Sequence, residues 1–443
     1  MSPRAQRLIE AARKPLPEGT YSVGAGLLIA GLSAYAFQIL SFRALTKVDY
    51  TALNALWVVV FVVAPGMFLP LEQEVGRALA DRQARGVGGG PVIRRAAALG
   101  TILTSCLLVA VFAASPLLVD HMFQSEWGLL FCLAISLVTY AFQHLTRGTL
   151  SGNGRFGSYG YLIGVEGIIR FLPALILWIA GVDQPVWYGL CIAVPPIISS
   201  LLALRNEHDL TPPGPEAPWS ELSTHLGYLL GGSLLAQVLG YAPFLGALLL
   251  ATPSQETQVA DFIVGLFLAR IPILLFQAVQ AALLPKLAGL AGSGRHDDFR
   301  SGLRKLLMVI LGIGVVGVIA GYTLGPEVGK ILFGDKFVLD GSDLALLVTG
   351  STLFILALTL AQALIALLGH AQAAIAWVVG IVFFLIVTAL GNELFLRVEL
   401  GFVAGAAAAA LVMALFLVRR LKTAVPDSAT TFVELIEHEP LEI

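Results

Sequence analysis

Apolar runs of about twenty residues, nearly free of charge, recur along the whole 443-residue chain, and short polar segments between them hold most of the charged side chains. A run of that length is what an α-helix needs to cross the roughly 30 Å hydrocarbon core of a bilayer. Bounding the runs by charge, Gly and Pro predicts twelve spans. They fall at about 21–42, 50–71, 96–118, 127–146, 158–180, 187–204, 223–250, 259–285, 303–325, 344–368, 371–390 and 400–418. The expected fold is an all-α integral membrane protein. Only 13% of residues are charged, about half the fraction of an ordinary soluble domain, so little chain is left for aqueous domains.

Lys and Arg collect on cytoplasmic loops, so their distribution tests both the count and the orientation. With the N-terminus inside, twenty of the 27 basic residues fall on cytoplasmic segments, among them Arg77, Arg82, Arg94, Arg95, Lys286, Arg304 and Lys305. The outer loops receive five: Arg43, Lys47, Lys330, Lys336 and Arg397. Both termini of a multi-pass cell-membrane protein are therefore expected in the cytoplasm. A Pro-rich stretch, RNEHDLTPPGPEAPWSE, follows the sixth span. It divides the chain into a cytoplasmic segment 1–20, a six-helix lobe 21–204, a linker 205–222, a second six-helix lobe 223–418 and an acidic cytoplasmic tail 419–443 that reads as solvated. SPLLVDHMF at 115–123 and GPEVGKILF at 325–333 align at a shift of 210 residues, as do Arg94 and Arg95 with Arg304 and Lys305. Two halves with an even number of spans start on the same side, which implies a pseudo-two-fold axis along the membrane normal.

Several chemistries find no support. The formal net charge of -2 argues against nucleic acid as a partner. Cys106, Cys132 and Cys191 each sit alone in an apolar run, without ligand spacing for zinc. GNGRFG at 152–157 and GIGVVG at 312–317 match G-x-G-x-x-G, but neither follows a strand, and GPEVGKI at 325–331 is too short for a phosphate-binding loop and lacks its Ser or Thr. No cofactor is expected, and short outer loops disfavour an enzyme. Of the seven histidines, His144 alone lies near a span interior, where a packing role is expected over a proton relay. The GxxxG pairs Gly160/Gly164, Gly227/Gly231 and Gly401/Gly405 read as internal packing faces.

Charge at mid-membrane depth is the sharpest functional signal, because it costs at least a few kcal/mol unless paired or facing water. Counting 1.5 Å per residue from the span ends puts Glu166, Arg170 and Arg270 about 12, 18 and 16 Å deep. Glu166 and Arg170 are four apart in the favourable order for a helical ion pair, so they read either as a self-satisfied structural pair or as cavity-lining groups. Arg270 has no acid three or four residues away, but Gln277 and Gln280 follow along the same face, the pattern of a wet cavity wall. Ser233, Gln237 and Tyr241 repeat at four-residue spacing in span seven, and Gln38 and Ser41 sit in span one.

Several segments carry a family resemblance. RGTLSGNGRFGSYGYLIGVEGIIRFLPAL at 147–175 resembles the region between spans four and five of polysaccharide flippases of the MOP superfamily, the group that includes O-antigen flippases and MATE transporters. FLARIPILLFQAVQAALLPKLAGLAGSGR at 267–295 resembles their span eight and its following loop, and ILFGDKF at 331–337 and QALIALLGHAQ at 362–372 fit the same pattern. FRALTKVDYTALN at 42–54 departs from it by lacking the glycines of the R-x-L-G-x-x-x-Y-G segment. The resemblance implies two bundles in a V that move a lipid-linked oligosaccharide on a polyprenyl diphosphate from the inner to the outer leaflet by alternating access. It implies H+ or Na+ as candidate coupling ions and other polysaccharide assembly proteins as candidate partners. Arginine suits a diphosphate, because its planar fork binds phosphate oxygens bidentately. A MATE-like multidrug or cation exporter is the alternative, and a non-transporting scaffold is a third class.

Overall fold

The computed structural model describes residues 19–222, 226–271, 296–334 and 337–423. Gln277, Gln280, the first eighteen residues and the acidic tail beyond Thr423 lie outside the described residues. Helices account for nearly all of the rest. The first lobe comprises α1 (Thr20–Ala44), α2 (Lys47–Ala84), α3 (Gly90–Ala113), α4 (Ser115–His121), α5 (Trp127–Gly152), α6 (Phe156–Ile179), α7 (Pro185–Ala193) and α8 (Pro195–Leu204). The second comprises α9 (Leu226–Leu250), α10 (Glu256–Leu268), α11 (His296–Thr323), α12 (Gly325–Phe333), α13 (Gly341–Ala366), α14 (His370–Leu390) and α15 (Leu394–Thr423). Eleven helical stretches among the described residues are long and apolar enough to cross a membrane, and α10 is a shorter apolar helix at the place of the eighth expected span.

Proline explains where helices depart from the predicted spans. Pro195 and Pro196 lack the N–H that would continue α7, so the sixth span is a broken pair, α7 and α8. The predicted span 259–285 is not one uninterrupted helix either. α10 ends at Leu268, and Ala269 and Arg270 form a turn before Ile271 is helical again; Pro272 has no N–H to donate to the Leu268 carbonyl, which favours a break here. α2 is longer than predicted, 38 residues or about 57 Å, and it keeps Pro65 and Pro70 inside. Its start is fixed by Thr46, whose hydroxyl accepts from the Asp49 N–H at 3.2 Å.

The repeat in the sequence corresponds to a repeat in the architecture. SPLLVDHMF and GPEVGKILF form α4 and α12, two short helices that begin 210 residues apart, each with Pro in its first turn. Within the first lobe α1 packs on α6, α3 on α5, and α5 on α2, α7 and α8; in the second, α9 packs on α14, α11 on α13, and α13 on α10 and α15. Each lobe thus uses the same set of neighbours. The α1–α6 approach needs Gly160, where a Cβ would meet the Ser22 carbonyl oxygen at 2.3 Å, and Gly405 lies as closely against the Gly380 carbonyl. These two GxxxG pairs are internal packing faces; Gly227 and Gly231 instead face open space.

α2 is the seam between the lobes, lying against α9 and α10. At its Lys47 end the contacts are strong. Lys47 pairs with Asp261 of α10 at 2.7 Å, Arg43 donates to the Leu332 and Ile331 carbonyls of α12, and Phe42 meets Phe333 edge to face. Further along, Tyr35 donates to the Phe267 carbonyl and Ser233 to that of Pro65. Among the described residues, hydrogen bonds and ion pairs between the lobes' helices stop there, although α2 continues to Ala84.

The chain between α8 and α9 does not hang free. Arg82, almost fully buried, donates to both carboxylate oxygens of Glu221 and to the carbonyls of Gly88, Pro215 and Glu216. Arg77 donates to the Glu221 carbonyl, and Arg95 stacks on Trp219. Ala217 and Leu222 complete a small core with Leu71, Val75, Leu79, Val92 and Ala96. The linker is a strap built onto the ends of α2 and α3.

Candidate functional site

A cavity of about 470 Å³ lies between the lobes. Residues of α1, α2, α5, α6, α9, α10, α13 and α15 line it, together with Arg270 just beyond α10. Arg170, Glu166, Gln237 and Arg270 all face it, four of the residues singled out in the sequence.

Arg170 is held from every side. Its guanidinium pairs with Glu166 one turn earlier on α6, donates to the Tyr140 hydroxyl at 3.0 Å, and lies 5.5 and 5.6 Å from the ring centroids of Trp57 and Phe61. Tyr140 in turn donates to Glu166 at 3.1 Å, and Gln143 donates to the other carboxylate oxygen at 3.0 Å. The pair is buried and self-neutralising, yet it lines the cavity, so the two roles open in the sequence coexist in one geometry.

Arg270 is held differently. It donates to the Gly240 carbonyl and its guanidinium carbon sits 4.1 Å from the centroid of the Tyr241 ring, a cation–π contact. It makes no ion pair among the described residues; its buried Nε, like that of Arg170, has no hydrogen-bond partner there. α9 supplies both contacts, and Gln237 one turn earlier on the same helix completes that wall.

A third group is absent from the sequence reading. Glu72 of α2 takes an ion pair from Arg147 at 3.3 Å, a hydrogen bond from the Tyr159 hydroxyl at 2.9 Å, and a contact from His144 Nδ1 at 2.7 Å. Arg147 also donates to Tyr159 at 2.9 Å. Gly148 permits this, because a Cβ there would stand 2.7 Å from the Glu72 carbonyl oxygen and force α2 and α5 apart. The second predicted span ended one residue before Glu72, which therefore counted as a loop residue. The signal on α5 was present: Tyr140, Gln143, His144 and Arg147 follow i, i+3, i+4, i+7 spacing, one polar stripe on a membrane helix. His144 is packed, between Phe68 and Tyr140, but its Nδ1 also meets the Glu72 carboxylate at the edge of the cavity.

Gln38 stands elsewhere. It is on the cavity-facing stripe of α1, one turn beyond Tyr35, but there α2 covers it and its amide oxygen accepts from Tyr50 at 3.0 Å. Glu166 is also not the sole acid within the spans: Glu399 of α15 is completely buried.

Fold and site together define a multi-pass helical membrane protein whose two lobes enclose a polar cavity. The chain has the fold of MATE transporters. A mutant of the Vibrio cholerae MATE transporter VcmN superposes with a TM-score of 0.69 at 15% identity, over 92% of this chain and 97% of that one. An inward-facing multidrug resistance MATE family transporter of the MOP superfamily gives 0.69 at 15% identity, over 94% and 97%. The outward-facing conformation of such a transporter gives 0.65 at 16% identity, over 93% and 97%. Two uncharacterized proteins of Mycobacterium tuberculosis are similar in sequence. One is 25% identical over 381 residues, covering 80% of this chain and 82% of its own length. The other is 26% identical over 386 residues, covering 82% and 83%. No protein-family model matches the chain.

Proposed function

We propose that this protein is a transporter of the MOP type that moves a lipid-linked oligosaccharide, carried on a polyprenyl diphosphate, from the inner to the outer leaflet by alternating access. The observation that carries this reading is the charge of the cavity. Among the described residues the one acid at its wall, Glu166, is matched by Arg170; Arg147 at the wall pairs with Glu72 behind it, and Arg270 remains over. A surplus guanidinium in a cavity of low dielectric favours an anion, and Arg170 and Arg270 approach that anion from opposite lobes. Gln237, Tyr241 and Gln143 offer polar and stacking contacts for a sugar; Gln277 and Gln280, outside the described residues, are proposed from their spacing in the sequence alone. The lipid tail stays in the bilayer.

The charge bias puts the Lys47 end of α2 outside. On that orientation, with both termini and the strap in the cytoplasm of the cell membrane, the latched lobes describe an inward-facing state. Transport without a nucleotide site runs downhill, by exchange, or on an H+ or Na+ gradient. The lobes of 21–204 and 223–418 would rock against each other, with assembly proteins of polysaccharide biosynthesis drawing on the product. The second reading, a MATE-like cation exporter, draws on the fold of the multidrug transporters and on Glu72 and Glu166. The two separate in a deletion strain. Accumulation of a lipid-linked oligosaccharide in the inner leaflet is the expected result. Drug sensitivity with unchanged lipids would overturn it in favour of the exporter.

A further inference from the structure

The buried histidine of the third group has a property that neither arginine pair shares. Glu72 is already neutralised by Arg147 and hydrogen-bonded by Tyr159, so the charge balance of the cavity does not need a charge on His144. Its Nδ1 faces the Glu72 carboxylate, an acceptor only, so Nδ1 carries the hydrogen whether the ring is neutral or charged. Nε2 makes no hydrogen bond among the described residues, and the ring lines the cavity. One nitrogen is thus fixed by a carboxylate while the other is open to a proton from the cavity.

The groups around the ring come from four elements. α2 contributes Glu72, α5 contributes Tyr140 and Arg147, α6 contributes Tyr159, Glu166 and Arg170, and Arg270 with Tyr241 faces them across the cavity. With His144 neutral, the described cavity carries one surplus positive charge; protonation at Nε2 makes it two. A diphosphate esterified at both ends, by lipid and by sugar, carries two negative charges near neutral pH, and a monoester such as farnesyl diphosphate carries two to three. We infer that His144 is a proton-binding site through which proton and anion loading of the cavity reinforce each other. The inference rests on the diphosphate reading and names the proton as the ion linked to it. Thermodynamic linkage makes the effect reciprocal: a proton on His144 tightens the anion by the same factor by which the anion tightens the proton.

The test is binding of farnesyl diphosphate to the purified full-length protein between pH 6 and pH 8, for the wild type and His144→Gln. The ligand's own titration is common to both, so the ratio of the two affinities isolates the histidine. Wild-type affinity is expected to fall at least threefold more than that of the variant as pH rises, against a limit of about tenfold per pH unit for one linked proton. Glu72→Gln keeps the ring but removes its counter-charge, so the fall moves to lower pH. Calorimetry of the wild type in two buffers of different ionisation enthalpy gives net proton uptake without any variant. Parallel pH profiles for wild type and His144→Gln, or no uptake beyond that of the ligand, would overturn the proton site while leaving the diphosphate reading standing. Failure of the wild type to bind at every pH would instead overturn the diphosphate reading, and the proton site with it.

Discussion

Arg170 and Arg270 reach the same cavity from opposite lobes, yet they are held in opposite ways. Arg170 has a carboxylate, a phenol and two aromatic rings around it, whereas Arg270 has, among the described residues, one carbonyl and one ring. A guanidinium with its counter-charge in place costs little to bury and gains little from a visiting anion, which has to compete with Glu166. One without a counter-charge keeps most of its attraction for a ligand. On the diphosphate reading this difference would divide the labour: Arg270 would bind, and Arg170 would be held in reserve behind an internal carboxylate.

The strongest way to break this comparison is Arg270→Ala, which is expected to abolish complementation of a deletion strain while the protein still reaches the membrane. Arg270→Lys should restore only part, since a point charge replaces a bidentate fork. Full activity of the alanine variant would remove Arg270 from the site. The first-lobe pair behaves otherwise. Glu166→Gln or Arg170→Gln alone leaves a buried uncompensated charge and should lower folded yield, by about 3–5 kcal/mol in stability, and the double variant should recover it. Complementation by the recovered double variant then decides whether Arg170 acts on substrate; activity would leave that pair a purely structural role.

The arginines were legible because a charge inside an apolar run stands out, and because helical spacing joined Glu166 to Arg170. The partners of Arg270 were not, since Gly240 and Tyr241 are 30 and 29 positions away and meet it only through packing of the second lobe. Eleven of the twelve expected spans and the short repeated helices could be read from the chain because hydrophobicity and proline act locally, whereas the eighth is a shorter helix among the described residues. Glu72 was lost to a helix end placed thirteen residues early, in a stretch where Glu72 is covered by α5 and Arg82 by the strap while Gln73, Arg77 and Asp81 stay exposed.

A smaller effect is expected at the latch. In a chain with Cys106, Cys132 and Cys191 replaced, Asp261→Asn leaves Lys47 without its partner and should speed labelling of a cysteine at Tyr241 by an impermeant reagent added outside, about two- to fivefold for a partly exposed ion pair of roughly 0.5–1 kcal/mol. Unchanged labelling would mean that the carbonyl contacts of Arg43 alone hold that end shut. The smallest effect belongs to Gln38→Leu, which loses the Tyr50 hydrogen bond and about 1 kcal/mol in a thermal melt but leaves complementation intact. A loss of activity there would extend the cavity one turn further along α1.

The strap sets a limit on how far the lobes can part at one corner. Leu222 is locked into the core at the ends of α2 and α3, and α9 begins at Leu226, so four peptide steps join an anchored point on one lobe to the first helix of the other. Fully extended, they reach about 14 Å. That corner behaves as a short leash: whatever path the lobes follow, the foot of α9 stays within that distance of Leu222, so rotation about that corner is allowed and sliding of one lobe along the other beyond that reach is not.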